Sequence, residues 1–173
     1  VGAHPVSMAY AAVQMAKRIF ADLSQTTALL IGAGDMMQLI ARHLQQQGVA
    51  RIVVANRTLE TAEKLAREVH GYAIPLNDLS AHLGDADLIL SSTAARGHVL
   101  EFPVMQRAAA QRRRKPVFMI DLAVPRDIDP RIAKRDDVYL YTVDDLRTVI
   151  EDNLKLREAS AKQAEVLVKA YAR

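Results

Sequence analysis

The sequence of 173 residues contains no cysteine and no tryptophan, and it has no long apolar run. The absence of cysteine excludes disulfides, thiolate metal ligands and a cysteine nucleophile within the chain. No segment approaches the roughly 18 apolar residues that a membrane-spanning helix needs. The opening segment VGAHPVSMAY lacks the basic region and apolar core of a secretion signal. These absences favour a reducing compartment, expected to be the cytoplasm, and no membrane partner.

Metal and nucleic-acid sites find little support in the sequence. The five histidines are scattered without the spacing of a metal site, so no metal ion is expected. His98 could reach a site beyond a predicted strand, although a surface position suits it better. The net charge of +3 permits a polyanionic partner without requiring one. The basic cluster RRRK at residues 112–115 could meet phosphates, but the solvated end of a helix is the favoured interpretation.

The spacing of apolar residues alternates between two periods along the chain. Six short apolar runs are predicted to be strands: TALLIGAG, RIVVAN, YAIP, DLILSST, PVFMIDLA and DVYLYT. Segments with the apolar spacing of helices separate them. This alternation predicts a parallel sheet with crossover helices. Right-handed crossovers make it a doubly wound, Rossmann-like α/β fold. A further helix, VSMAYAAVQMAKRIF, flanks the fold before the first strand.

The pattern divides the chain into two parts at residue 143. Residues 1–142 are expected to form the doubly wound α/β domain, with its N-terminal helix within residues 1–24. Residues 143–173 contain no glycine or proline and carry strong helix formers, which predicts one long helix. Its apolar stripe is thin and broken, and the helix is too long to pack on this domain alone. We therefore expect the helix to pack on a partner or to lead into a further segment.

The first predicted strand ends in a glycine turn that opens a helix: Gly32, Ala33 and Gly34, then Asp35, Met36 and Met37. Ligands of open parallel sheets bind beyond the carboxyl ends of the strands. Gly32 permits the tight turn, and Gly34 lets a pyrophosphate approach the backbone. The free amides of Asp35 and Met36 would face that pyrophosphate, with the Asp35 carboxylate turned away. Met37 takes the third position of the glycine fingerprint, which serves packing more than phosphate contact.

The second predicted strand ends in Asn56, Arg57 and Thr58, where an Asp or Glu commonly binds the adenosine ribose. A carboxylate there would repel a 2′-phosphate. The planar guanidinium of Arg57 instead matches phosphate oxygens and stays protonated. Asn56 can donate an amide hydrogen bond, and Thr58 can cap the following helix. The pattern predicts NADPH, with a solvated loop and an ordinary helix cap as the alternative.

Small polar residues follow the fourth predicted strand. Ser91, Ser92 and Thr93 lie where the nicotinamide ribose or carboxamide of a cofactor could bind. Asp121, at the end of the fifth strand, and the turn at Pro125 are expected near the same mouth, unless they serve plain turn chemistry. No pair of these residues forms a nucleophile and its base. The chain is therefore expected to hold a cofactor without a catalytic residue of its own.

The sequence resembles the NADPH-binding domain of glutamyl-tRNA reductases along four segments: VSMAYAAVQMAKRIF, LLIGAGDMMQLIARHL, IVVANRT and LILSSTA. The most specific matches are DLAVPRDIDP and VYLYTVDDL. Met37 departs from the family, in which many members carry glycine. The resemblance implies that residues 32–37 hold the pyrophosphate and residues 56–58 the 2′-phosphate. Residues 91–93, with Ala123 nearby, would seat the nicotinamide.

The resemblance also implies a reaction. The family reduces the glutamyl ester of glutamyl-tRNA to glutamate-1-semialdehyde with NADPH, in the synthesis of tetrapyrroles such as haem. A cysteine of an N-terminal domain forms a thioester that hydride reduces, and a C-terminal helical region makes a homodimer. We therefore expect this chain to be one domain of a longer oxidoreductase, without the cysteine domain and inactive alone. The implied partners are glutamyl-tRNA, a second copy and the next enzyme of the pathway.

Two alternatives stay open. A shikimate-dehydrogenase-like reductase also carries NRT after its second strand and would take its catalytic lysine and aspartate from a preceding domain. The DLAVPRDID segment and the long final helix argue against that reductase. A non-catalytic module that senses NADPH would differ only in lacking an attached reactive domain.

Overall fold

A computed structural model describes residues 4–113 and 115–171 of the chain. Its strands are β1 (Thr27–Ile31), β2 (Arg51–Asn56), β3 (Tyr72–Pro75), β4 (Leu88–Ser91), β5 (Val117–Asp121) and β6 (Val138–Thr142). They form one parallel sheet in the order β3-β2-β1-β4-β5-β6. The chain starts at the centre, runs outward to β3, and then returns to the other side of β1. This order is the doubly wound arrangement, so the predicted fold class is confirmed.

The α-helices are α1 (Pro5–Ile19), α2 (Asp35–Gln46), α3 (Leu59–Glu68), α4 (Leu79–His82), α5 (Phe102–Gln111) and α6 (Val143–Tyr171). Short 3-10 helices cover Leu23–Gln25, Leu76–Asp78, Leu83–Asp85 and Pro130–Lys134. Two apolar clusters cover the two faces of the sheet. Neighbouring strand residues alternate between the clusters, with Leu30 in one and Leu29 in the other, as the pleat of a strand requires. The core therefore forms two layers of side chains, one on each face.

The predicted strands DLILSST and PVFMIDLA run past the observed ends of β4 and β5. After β4, the backbone N–H of Thr93 donates to the Asp127 carboxylate at 2.8 Å instead of continuing the ladder. After β5, the N–H of Ala123 donates to the Asp121 carboxylate at 3.1 Å. Side chains thus bind the backbone N–H groups just beyond both strands, so β4 and β5 end there.

A tight turn follows helix α3 before the chain enters β3. The helix stops at Glu68, and His70 adopts a left-handed backbone with a φ of 54°. A β-carbon at Gly71 would lie 2.5 Å from the carbonyl oxygen of Ile52. Glycine at this position therefore allows the chain to pass close to β2 on its way into β3.

The long final helix is confirmed, and α6 begins at Val143 as predicted. Leu146 is fully buried in the cluster that also holds the buried face of α1, and Ile150 packs against the same cluster. Residues 154–169 are exposed throughout. The division of the chain at residue 143 and the route of α6 toward a dimerisation region stay predictions. Within the described residues, no helix is both long and apolar enough to cross a membrane.

The interpretation of residues 112–115 as a solvated helix end is wrong for Arg112. Its guanidinium is buried and lies 3.0 Å from Asp87, and it donates to the Pro116 carbonyl at 2.8 Å. Asp87 also accepts the N–H of Thr27 at 3.0 Å. Arg112 therefore joins the end of α5 to the amino ends of β1, β4 and β5. Arg114 lies outside the described residues.

Candidate functional site

A cleft of about 490 Å³ opens at the carboxyl ends of β1, β2 and β4. Its walls are residues 32–34, 56–58 and 92–95, together with Leu76 and Val99. The order of the strands reverses between β1 and β4. Doubly wound sheets bind their ligands at that reversal, because the loops on the two sides diverge there. The structure thus brings together the three loops that the sequence singled out.

Gly32 makes the sharp turn out of β1. Its φ of 112° lies in a region that side chains rarely adopt. A β-carbon there would collide with the carbonyl oxygen of Ser92. Gly32 therefore serves the close approach of the loops after β1 and β4.

Gly34 has the opposite surroundings. It is the N-cap residue of α2, and no side chain caps this helix. Nothing lies within 4 Å of the position that a β-carbon on Gly34 would take. The first amides of a helix have no partner within the helix and carry its positive dipole end. This open helix N-terminus at the cleft is suited to an anion such as a pyrophosphate.

The first turn of α2 holds three residues that were predicted to bind the cofactor. Asp35 is exposed and Met36 is half-buried, and neither side chain lines the cleft. The prediction assigned their backbone amides, not their side chains, to the cofactor. The placement of the side chains therefore does not test it. Met37 is 1% exposed and packs in the core beside α1. The methionine side chain thus fills the interface between α2 and the sheet, where a glycine would let the helix lie closer to the sheet.

The loop after β2 presents Arg57 to solvent at the edge of the cleft. Within the described residues, the Arg57 guanidinium has no hydrogen-bond or ion-pair partner. Asn56 donates its amide to the carbonyl of Thr58 at 3.0 Å, which folds the loop. Thr58 is the N-cap residue of α3, but its hydroxyl makes no capping bond, so that prediction is wrong. Thr58 is exposed and lines the cleft.

The three polar residues after β4 have different roles. Ser91 is fully buried and its hydroxyl donates to Asp127 at 2.7 Å, so its side chain does not line the cleft. Thr93 lines the cleft, and its hydroxyl donates to Asp127 at 2.5 Å. The Ser92 hydroxyl has no partner among the described residues. Of the three hydroxyls, that of Ser92 is therefore the one available to a ligand.

The end of β5 behaves as a turn. The Asp121 carboxylate is buried and accepts the backbone N–H groups of Ala123, Asp127 and Ile128. This geometry matches the alternative of plain turn chemistry. Ala123 lines a separate cleft of about 280 Å³ beside Arg126 rather than the cleft described above. His98 is exposed and does not line the cleft.

Sequence reasoning missed Leu76, Ala94, Ala95 and Val99 of the lining, and Asp127 beneath it. Leu76 directly follows β3, so the rule about carboxyl ends would have found it. Asp127 lies in the DLAVPRDID segment, and no periodicity marks it as a partner of β4. In the described residues, no group of three or more potential ligands could hold a metal ion.

Comparison with known proteins shows the family of the chain. A family model described as shikimate / quinate 5-dehydrogenase matches residues 14–149. The glutamyl-tRNA reductase of Ectopseudomonas mendocina (strain ymp) is 53% identical over 170 residues, which cover 98% of this chain and 40% of that protein. The chain thus spans well under two thirds of the curated relatives that it matches.

Solved structures agree with this assignment. The glutamyl-tRNA reductase from Methanopyrus kandleri is 37% identical with a TM-score of 0.86, covering 98% of this chain and 42% of that one. The nucleotide binding domain of the glutamyl-tRNA reductase from Thermoplasma volcanium shares the fold at 20% identity, with a TM-score of 0.66 over 87% of this chain and 96% of its own. The chain therefore belongs to the shikimate / quinate 5-dehydrogenase family, and over nearly its whole length it is similar to a part of glutamyl-tRNA reductases.

Proposed function

We propose that this chain binds NADPH and serves as the cofactor domain of a glutamyl-tRNA reductase. In the full-length protein it would support reduction of a glutamyl thioester to glutamate-1-semialdehyde, in tetrapyrrole synthesis. The observation that carries the proposal is the Arg57 guanidinium, unpaired among the described residues and exposed beside the glycine turn. An acid at this position would favour NADH, whereas a guanidinium favours the additional 2′-phosphate of NADPH.

The residues of the cleft fit the parts of such a cofactor. The open N-terminus of α2 at Gly34 suits the pyrophosphate. Arg57 and the Thr58 hydroxyl suit the adenosine 2′-phosphate, and Ser92 suits the nicotinamide half. When bound, NADPH supplies the hydride, and the contribution of the protein is to hold and orient the cofactor.

A second part of the proposal concerns what the chain does alone. The resemblance implies a thioester on a cysteine, and this chain contains no cysteine. We propose that glutamyl-tRNA binding, homodimerisation and transfer of the product to the next enzyme belong to the longer protein, in the cytoplasm. The chain by itself is therefore expected to bind NADPH and to leave glutamyl-tRNA unreduced.

Titration of the chain with NADPH and NADH, followed by the fluorescence of the reduced nicotinamide, tests the cofactor assignment. Arg57→Ala should weaken NADPH binding by about tenfold or more, since a hydrogen bond to a charged group contributes roughly 1.5–3 kcal/mol. NADH binding should stay unchanged. Arg51→Ala is a matched control, because Arg51 is exposed at the opposite end of the same strand. Equal affinities of the unchanged chain for NADPH and NADH would contradict the 2′-phosphate assignment.

A shikimate-dehydrogenase-like reductase remains the second candidate, favoured by the description of the matching family model. A chimera separates the two candidates. This chain would replace the matching region of the Ectopseudomonas mendocina relative, to which it is 53% identical. The chimera should form glutamate-1-semialdehyde from glutamyl-tRNA and NADPH, and the chain alone should not. A folded chimera that binds NADPH and glutamyl-tRNA without turnover would overturn the assignment to glutamyl-tRNA reductase.

A further inference from the structure

One wall of the cleft is a loop of residues 93–99, of which Thr93, Ala94, Ala95 and Val99 line the cavity. We call this segment the β4 wall. It has no regular secondary structure of its own, so its shape depends on what holds its two ends. Both ends are held by a single residue, Asp127, which is 0% exposed.

The side chain of Asp127 holds the first end. One carboxylate oxygen accepts the Ser91 hydroxyl at 2.7 Å and the Thr93 N–H at 2.8 Å. The other oxygen accepts the Thr93 hydroxyl at 2.5 Å. The same hydroxyl accepts the N–H of Ala95 at 3.2 Å, so Thr93 links the carboxylate to Ala95 within the wall.

The backbone of Asp127 holds the second end. Its carbonyl oxygen accepts the N–H of Val99 at 2.7 Å and that of Leu100 at 3.1 Å. Its own N–H donates to the buried Asp121 carboxylate at 3.0 Å, which ties Asp127 to the end of β5. The β4 wall is therefore clamped at both ends to a point fixed on the sheet.

We propose that Asp127 is a positioning residue for the nicotinamide half of the cofactor, through the shape it imposes on the β4 wall. This inference rests on the proposed function. The cleft spans β2, β1 and β4, with Arg57 at the β2 end and the β4 wall at the other. A dinucleotide bound across the reversal places its adenosine half toward β2 and its nicotinamide half toward β4. Asp127 thus acts on one half of the cofactor only.

Two ligands separate the halves in a binding experiment on the full chain. NADPH uses the whole cleft, whereas adenosine 2′,5′-bisphosphate uses only the end near Arg57. Asp127→Asn keeps the size of the side chain but replaces one accepting oxygen by a donor, so it cannot accept all three hydrogen bonds. We expect the Kd of NADPH to rise about tenfold and that of the bisphosphate to change less than about twofold.

Variants of Thr93 test whether the carboxylate acts through the wall. Thr93→Val removes the hydroxyl and should weaken NADPH binding as Asp127→Asn does. The double variant should be no weaker than either single one, because both changes break the same link. Thr93→Ser keeps the hydroxyl, so this variant should bind NADPH with the affinity of the unchanged chain.

Asp87→Asn is the matched control, because Asp87 is another buried aspartate that lies at the opposite edge of the sheet. It should lower the melting temperature without changing either affinity. Parallel weakening of both ligands by Asp127→Asn, or unchanged NADPH affinity, would overturn the positioning role. So would additive effects of Asp127→Asn and Thr93→Val. If the unchanged chain bound neither ligand, the proposed function itself would fail.

Discussion

At the scale of single residues, the two glycines of the turn after β1 carry different constraints. Gly32 has a φ of 112° and faces the Ser92 carbonyl, so the fold requires it. Gly34 has an ordinary backbone conformation and open space around its missing β-carbon. Packing therefore does not require a glycine at position 34, and the open space there is compatible with the proposed pyrophosphate.

Gly34→Ala should leave the fold intact and weaken the binding of the cofactor. The added methyl group would stand where a pyrophosphate approaches α2, and we expect a loss of NADPH affinity of about tenfold, near 1.4 kcal/mol. The melting temperature should stay within a few degrees of its original value, because alanine meets no atom there. Gly32→Ala provides the contrast, since strain at positive φ should destabilise the fold by roughly 1–3 kcal/mol. A Gly34→Ala chain that binds NADPH with full affinity would contradict the placement of the pyrophosphate.

At the scale of secondary-structure elements, the carboxyl and amino edges of the sheet use their buried aspartates differently. The carboxyl edge carries the cleft, and its buried aspartates bind loop amides and hydroxyls. The amino edge carries the ion pair of Arg112 with Asp87, which Lys115 joins at 3.2 Å. Burial alone would raise the pKa of Asp87, but hydrogen bonds from Thr27, Arg112 and Lys115 outweigh it and hold the pKa below its ordinary value.

Arg112→Met should destabilise the protein by about 3 kcal/mol, because it leaves the Asp87 carboxylate buried without its buried cationic partner. Urea unfolding at neutral pH would measure the change. NADPH affinity should stay the same, since the pair lies at the edge away from the cleft. Arg113→Met is the control, because Arg113 is exposed, and it should change stability by less than about 0.5 kcal/mol. Equal stabilities of the two variants would show that the buried pair contributes nothing.

At the scale of the whole molecule, the charge state of buried and half-buried acids links stability to pH. Hydrogen bonds from the Arg131 side chain and backbone lower the pKa of Asp129 to about 2, from an ordinary 3.8. The pKa of Asp87 is lowered as well. An acid whose pKa is lower in the folded state than in the unfolded chain stabilises the fold at pH values above its pKa in the unfolded chain. That stabilisation is lost as the pH falls through the folded value.

We therefore expect the free energy of unfolding to be flat above about pH 5 and to decrease as the pH falls from about 4 toward 2. Denaturation in urea at a series of pH values would show this. Asp129→Asn should remove part of the slope below pH 4, because the amide does not titrate. A slope that is identical in Asp129→Asn and in the unchanged chain would exclude Asp129 as a source.

Much of the fold could be predicted because its signals are local. The alternation of apolar periods marks the strands and helices, and the glycine turn and Arg57 each directly follow a strand. Strand ends were less predictable: β4 stops at Ser91 because the backbone N–H of Thr93 donates to Asp127, which lies far along the chain. Thr58 occupies the N-cap position that the sequence indicated, yet its hydroxyl takes no part in the cap.

The sequence by itself determined the doubly wound sheet, the cleft at its carboxyl edge and the placement of Arg57 there. Only the tertiary structure decided which polar groups face that cleft. Ser91 and Thr93 read as equivalent to Ser92, but Asp127 engages their hydroxyls and leaves that of Ser92 available. Arg112 reads as a surface cation and is buried against Asp87. The physical reason is common to both cases. A buried charge is stable only when it is paired or hydrogen-bonded, and its partners can lie far away in the sequence. Such long-range pairs produce no periodic pattern from which they could be predicted.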